Sequence, residues 1–562
     1  MKRISHIFLP VFLILLSGAL CFSQHVETNL WYFGIHAGLD FSSGTPVAIN
    51  GGQTNSYEGC TVMSDRNNGQ LLFYSDGGTV WDRMHDSMPN GKGLWGHPSA
   101  TQSSLAVPNP ANGNQYFLFT VATQAGYYPM GAFSGGAYSV IDMTLNGELG
   151  DVIPNQKNIQ LLDSTTEKLA AVQHCNGRDY WVVFHRWNSD AFYSYLISPS
   201  GVSPPVVSNV GTVIQNYGST NQSETIGYMK FSPDGKHLAM ASFSPMNSAQ
   251  SFDFDASTGI ISNVITLNIP VPPPNGYGGP YGVSFSPDGN LLYVGWHDYF
   301  NRPNYILQYN ISLGTEVAIQ ASRTVVGSGL NVRSFGAFQL ATNGKLYVTT
   351  FNQSQTNPIG SLTIGAINSP NTIGTSCGWS PTAVSLDSGR CIWGLPNFVE
   401  SSFSSQVLSL GPDLYLWPPI SVTLDAGPGF SSYLWSDGSS MQTMNATSAG
   451  TYWVSVINQN GCTQTDTLHI YLPLSVRDEA TFSGFNVSYS EVNSVQISFN
   501  SLLSQDFSVS IYSMDGKRMF NEYYNHVIGL FKLDYHLNFS KGIYILNLQG
   551  KNIAKNVKLI VR

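Results

Sequence analysis

The stretch FSPDGKHLAMASF, residues 231–243, returns with few changes as FSPDGNLLYVGWH at 285–297. Each copy reads as a strand, a tight turn and a second strand. Asp-Gly supplies the positive φ angles of a two-residue hairpin turn, and β-forming residues follow it. A weaker copy, LATNGKLYVTTF, begins at Leu340. The same turn-then-apolar unit appears as NNGQLLFYSDG at Asn67, ANGNQYFLFTV at Ala111, CNGRDYWVVFH at Cys175 and DSGRCIWGLP at Asp387. The turn glycines, Gly69, Gly113, Gly177, Gly235, Gly289, Gly344 and Gly389, recur at a mean interval of about 53 residues.

A four-strand unit of ~50 residues repeated seven times closes into a β-propeller, and closure removes the sticky edges of an open sheet. Nothing between Gln24 and Ser402 sustains the 3.6-residue apolar period of a helix. The ends fit closure. After Gly389 only one clear strand precedes Phe398, whereas NLWYFGIHAGLDFSSG, from Asn29, offers outer strands with no inner ones before them. The N-terminal strands are therefore expected to complete the last blade.

Working outward, 562 residues suggest three or four domains at ~150 residues each. Only 10% are charged, against ~25% in ordinary soluble proteins, and the net charge is −9. Such a chain lacks the clustered Lys and Arg that phosphate binding needs, which excludes nucleic acid as a main partner. An aromatic content of 12%, with 55 Gly and 29 Pro, suits many short strands and turns.

Lys2 and Arg3 precede an apolar run from Ile7 to Leu20, the layout of a secretory signal, with cleavage expected between Ser23 and Gln24. The run is too short for a ~20-residue membrane span, so no transmembrane segment is expected in the mature chain. Leu20 before Cys21 is too large for a lipoprotein signal. Five cysteines then remain, with no CxxC pair to suggest zinc. Cys377 and Cys391 fall in one repeat and are the expected disulfide. Cys60 and Cys175 lie in repeats that are not neighbours, beyond the ~7 Å reach of a disulfide, and are expected to be buried free thiols.

The stretch from Thr423, with YLWSDG, GTYWVSV and NGC, resembles the immunoglobulin-like or PKD-like modules of bacterial surface proteins. Trp435 is its expected core aromatic. Where such modules often carry a partner cysteine this chain has Trp417, which leaves Cys462 unpaired. The C-terminal elements VQISF at Val495, FSVSIYSMDGKRMF at Phe507, KGIYILNLQGK at Lys541 and NVKLIVR at Asn556 resemble the type A sorting domain of the Bacteroidetes type IX secretion system. That family's frequent Tyr-Pro-Asn-Pro entry is replaced here by NVSYSEVNS. The resemblance implies a recognition surface for the secretion machinery on the terminal basic strand, with Lys551, Lys555, Lys558 and Arg562. WYFGIHAGLDFSSGTPVA, YEGCTVMSDRNNGQLLFYSDGG and GLPNFV look like the propeller of Bacteroidetes surface proteins linked to gliding motility, which implies export and surface display.

The expected fold is thus all-β: signal peptide 1–23, propeller 24–402, sandwich 403–472 and sorting domain 473–562. Chemical motifs are sparse. YSDGGTVWD at Tyr74 nearly matches a sialidase Asp box, but Ser75 and Asp76 are adjacent where the box needs a residue between them. His85, His97, His174, His185, His237 and His297 are scattered over separate repeats. Glu58, Asp65, Asp76 and Asp82 form the densest acidic group, for which turn capping is the simpler account. No nucleotide or serine-hydrolase motif occurs. No catalytic, cofactor or metal residues are assigned. The sequence points to an exported binding or adhesion protein whose partner is an extracellular glycan or surface protein. The alternatives are a secreted polysaccharide-cleaving propeller enzyme, for which two carboxylates near the channel mouth would speak, and a structural part of a gliding apparatus.

Overall fold

The computed structural model describes residues 26–561 except 124–134, 216–222, 270–277, 299–303, 330–332, 353–359, 405–407, 412, 417–419, 459–460, 472–481, 490–493, 514–516, 537–538, 541 and 551–552. The expected cleavage site at Ser23 and Gln24, together with Trp417, Lys551 and Arg562, lies outside the described residues. Strands dominate; the one α-helix among the described residues is Glu316–Ala321. No described helix is long and apolar enough to cross a membrane. Contacts group the chain into two compact units, Met1–Gly411 with Leu424–Met444 and Trp453–Thr467, and Pro412–Thr423 with Asn445–Tyr452 and Leu468–Arg562.

In the first unit the repeats become propeller-like sheets. Cys60–Ser64, Leu71–Ser75, Thr79–Asp82 and Ser87–Lys92 pair in chain order, and five further sheets begin at Ser104, Thr165, Met229, Gly278 and Arg333. The leading strand of each of these six sheets packs on that of the next. Leu30–Phe33, Ala37–Asp40 and Val47–Ala48 form a further, three-stranded sheet.

The succession returns to its start. Ile35 and Arg390 exchange two backbone hydrogen bonds of 2.9 Å, Trp393 O accepts from Ala337 N at 2.7 Å, and Trp393 N donates to Tyr57 O at 3.0 Å. Pro396–Asn397 then runs parallel to Cys60–Thr61. The N-terminal strands are held by Trp31, fully buried among Phe41, Tyr347 and Phe398.

The repeated turn differs from the expected two-residue hairpin. Gly235 N donates to Ser232 O (2.9 Å) and Ser232 N to His237 O (2.9 Å), enclosing the four residues Pro233–Lys236. Ser232 Oγ donates to Asp234 Oδ1 at 2.6 Å, and Ser286 repeats the bond to Asp288 at 2.5 Å. Proline's fixed φ suits the second position of a turn, which moves the left-handed conformation to the glycine, φ 71° at Gly235 and 74° at Gly289. Gly69, Gly177 and Gly344 share that conformation, while Gly113 and Gly389 are absent from the positive-φ set. At Gly389 the requirement is space: a Cβ would come within 2.5 Å of Ala37 Cα in the N-terminal sheet.

The cysteine assignment is corrected. Cys175 is bonded to Cys462, with Cα atoms 5.5 Å apart and 287 residues between them in sequence. Cys377 and Cys391 are buried free thiols, as is Cys60. The Cys391 thiol faces the carbonyls of Thr350 and Thr363, and burial pushes it up to about 11. Cys377 ends a short 3-10 turn, Gly374–Cys377, in a separate apolar cluster. Gln464 Nε2 (3.1 Å) and Asn458 Nδ2 (3.4 Å) both donate to Cys175 O, so three links fix the loop around Cys462 to the turn His174–Asp179. Trp435 is buried as expected, its indole N–H donating to Met441 O. Its strand, Ser432–Trp435, pairs antiparallel with Val454–Ile457.

In the second unit, strands Phe482–Tyr489, Ser494–Ser513, Arg518–His536, Gly542–Gly550 and Ile553–Val561 form one sheet. Alternation along Val495, Ile497 and Phe499, and again along Leu546 and Leu548, buries one face of it. Lys558 is exposed on the last strand, opposite Ile545.

Candidate functional site

Polar residues on the leading strands of the first unit meet at a common centre, because strands from non-adjacent sheets touch there. Gln102, leading into the second sheet, makes a two-way amide contact with the fourth. Its Nε2 donates to Met229 O at 3.0 Å, and its Oε1 accepts from Met229 N at 2.8 Å. The exit segment after Leu395 threads the same centre. Asn397 Nδ2 donates to Ser104 O (3.1 Å) and Asn397 O accepts from Thr61 Oγ1 (2.9 Å). Val399 bridges to Ala171, and Ser401 Oγ accepts from Gln173 N. Glu400 meets Lys230 of the fourth sheet at 2.5 Å, both side chains 2% exposed, and Lys230 also donates to Gln339 of the sixth.

A second group of polar contacts involves Glu167, Lys168 and Glu58. Glu167 is fully buried and accepts from Thr101 N and Oγ1 (2.9 Å each) and from Thr123 Oγ1 (3.0 Å). Lys168 Nζ donates to Thr225 O (2.7 Å) and Ile226 O (3.1 Å). Burial pulls Lys168 down to about 7, against the attraction of Glu167. Glu58 accepts from Tyr281 Oη at 3.0 Å. Burial first, then the charge of Glu167, lifts the Glu58 carboxyl well above the ordinary range, so it holds its proton more tightly than a free carboxyl.

The acidic group of Glu58, Asp65, Asp76 and Asp82 therefore divides. Asp65 Oδ1 accepts from Asn67 N and Asn68 N, Asp76 Oδ1 from Gly78 N and Thr79 N, and Asp82 Oδ1 from Met84 N and Asp86 N. All three aspartates are turn caps, and Glu58 alone joins the centre. The histidines stay dispersed. His85 meets Tyr74 Oη, His97 and His174 accept from nearby backbone N–H groups, and His237 faces Asp253. His185 and His297 are fully buried, and burial holds each at about 3. Among the described residues no group of three His, Cys, Asp or Glu is placed to hold a metal.

Sequence reasoning missed Gln102, Glu167, Lys168, Lys230 and Glu400. The one available signal was Lys230 beside an apolar strand start, which alternation alone reads as solvent-facing.

Apart from this centre, an open trough lies on the third sheet, lined by Arg186, Trp187, Tyr193 and Asn209 among others.

Residues 491–562 match the family model described as the secretion system C-terminal sorting domain. That tail marks the chain for export through the type IX system, to be secreted or attached at the surface, and implies engagement with that machinery. No curated protein matches the sequence. Among solved structures, hydrazine synthase of Kuenenia stuttgartiensis is similar at 15% identity, covering 61% of this chain and 93% of that one, with a TM-score of 0.36. A putative 6-phosphogluconolactonase from Bacteroides uniformis is similar at 13% identity, 75% and 99% coverage and a TM-score of 0.34. The Cps50 (Swd1) beta-propeller domain of Myceliophteria thermophila follows at 12% identity, 65% and 95% coverage and a TM-score of 0.27. Scores this low transfer no activity.

Proposed function

We propose that this chain is an exported, non-catalytic binding protein. A seven-bladed propeller over 24–402 presents the ligand-binding surface, an immunoglobulin-like or PKD-like sandwich over 403–472 serves as spacer, and the tail over 473–562 directs export. Signal cleavage falls between Ser23 and Gln24, and Lys551, Lys555, Lys558 and Arg562 belong to the strand read by the secretion machinery. The resemblance of 29–399 to propellers of gliding-associated surface proteins of Bacteroidetes supports display at the cell surface, with a glycan or a surface protein as partner.

The observation that carries this reading over an enzymatic one is the state of Glu167. Its carboxylate is fully buried and already accepts three hydrogen bonds, which leaves it poorly placed to act on a substrate. A second reading, polysaccharide hydrolysis, draws on the raised pKa of Glu58, as expected of a general acid. A hydrolysis screen of the full mature chain on soluble polysaccharides separates the two. No turnover is expected; turnover abolished by Glu58→Gln sinks the binding-only reading. For export, deletion of 474–562 is expected to trap the protein in the periplasm, and unchanged surface display refutes that role for the tail.

A further inference from the structure

The trough on the third sheet has the chemistry of a sugar site. It sits where the turn Trp187–Asn188 joins strands Tyr180–Arg186 and Ser189–Ser198, beside the outer strand Val206–Ile214. Its open volume is about 540 Å³, within the ~300–1,000 Å³ of small-molecule sites. Trp187 and Tyr193 are half-buried and both line it. Trp187 packs partly on the apolar cluster that holds Phe192, and Tyr193 partly on the one that holds Tyr195; what remains of each ring lines the trough, and the C–H face of a pyranose suits such an apolar surface.

The polar groups around these rings are held in place. Arg186 Nη1 donates to Tyr193 Oη at 3.1 Å, and Arg186 Nη2 meets Asp163 Oδ1 at 3.2 Å. Asn209 Nδ2 donates to Asp190 Oδ1 at 3.0 Å. The planar guanidinium of Arg186 and the amide of Asn209 can each engage two adjacent hydroxyls, and holding them beforehand lowers the entropic cost of binding. The formal charge decides which sugars fit. The one charged side chain among the lining residues, Arg186, is already paired with the exposed Asp163, so the trough has no surplus positive charge for a uronate or sulfate.

We propose that this trough binds a neutral pyranose unit of an extracellular polysaccharide. The inference rests on the binding reading above and adds the place and the ligand class. It is tested by electrophoresis of the full mature chain through gels containing mannan, xyloglucan or xylan, beside gels containing polygalacturonate or chondroitin sulfate. Retardation is expected in at least one neutral gel. Trp187→Ala should weaken it at least tenfold and Asn209→Ala severalfold, with Lys345→Ala, in a separate groove lined also by Tyr347 and Asn368, as the unchanged control. Because Trp187 ends a hairpin, thermal unfolding is followed in parallel. Should Trp187→Ala fail to fold, Tyr193→Phe and Asn209→Ala carry the test. Retardation untouched by these variants, retardation only in the anionic gels, or none in any neutral gel overturns the trough. In the first two results the chain still binds a glycan and the broader reading stands, whereas digestion of a gel polymer overturns that reading itself.

Discussion

Two lysines are buried on successive leading strands, and the fold treats them differently. Lys230, 2% exposed, meets a carboxylate delivered from far along the sequence, Glu400, together with the side-chain amide oxygen of Gln339. Lys168, fully buried on the neighbouring sheet, is held by two backbone carbonyls, and burial brings it to about 7. Backbone dipoles do not replace a carboxylate. The ion pair makes the exit segment an essential part of the centre, whereas the carbonyl-held lysine makes the third sheet sensitive to pH.

The largest effect is expected where the pair is broken. Glu400→Ala leaves the Lys230 ammonium in the centre without its carboxylate, a change that costs about 3–5 kcal/mol. Urea unfolding of the full chain measures it. Lys230→Met with Glu400→Met removes both charges and should recover most of the loss, because the desolvation penalty goes with them. A cost below about 1 kcal/mol for Glu400→Ala, of the size typical of exposed pairs, would break the contrast between the two lysines.

This contrast also marks what was legible in the sequence. The Ser-Pro-Asp-Gly turns have local causes, so the repeating sheets and the Asp65, Asp76 and Asp82 caps were readable from a few adjacent residues. The turn's inner geometry was misjudged because proline, and not only glycine, sets where the left-handed residue falls. The centre was not readable. Lys230 and Glu400 are 170 residues apart, and a polar residue on a strand looks the same whether it faces water or converging strands. Cys175 and Cys462 were missed for a related reason: comparing repeats with one another left out a later segment that returns to the turn of the third.

A smaller, pH-dependent effect is expected at Lys168. Its pKa is about 7 in the folded chain against 10.5 for the free side chain. Between those values the unfolded chain binds more protons, so stability rises as pH goes from about 7 towards 10.5. The slope from this one group is at most ~1.4 kcal/mol per pH unit. Lys168→Met abolishes it. The difference in unfolding free energy between the two proteins, followed from pH 7 to 10, should narrow or reverse in favour of the natural chain as pH rises. A constant difference would mean that Lys168 ionises as a free lysine does, and the pH sensitivity assigned to the third sheet would fail.

The smallest effect sharpens the picture around Lys168. His185 has both ring nitrogens buried without a well-formed hydrogen bond, and it is held at about 3, by burial first and by the nearby Lys168 second. A free imidazole would bind a proton below 6.5, so stability is lost as pH falls from about 6.5 towards 3. His185→Phe keeps an aromatic ring against Phe192, whose centroid is 4.7 Å away, and removes that acid limb. Little change is expected at neutral pH, where the imidazole carries no charge, and the gain appears only on acidification. Lys168→Met should raise the pKa of His185 and shorten its acid limb, because the neighbouring ammonium is gone. If acid unfolding is the same with and without His185, the sensitivity belongs to His297, the other imidazole held at about 3, and the coupling drawn between His185 and Lys168 fails.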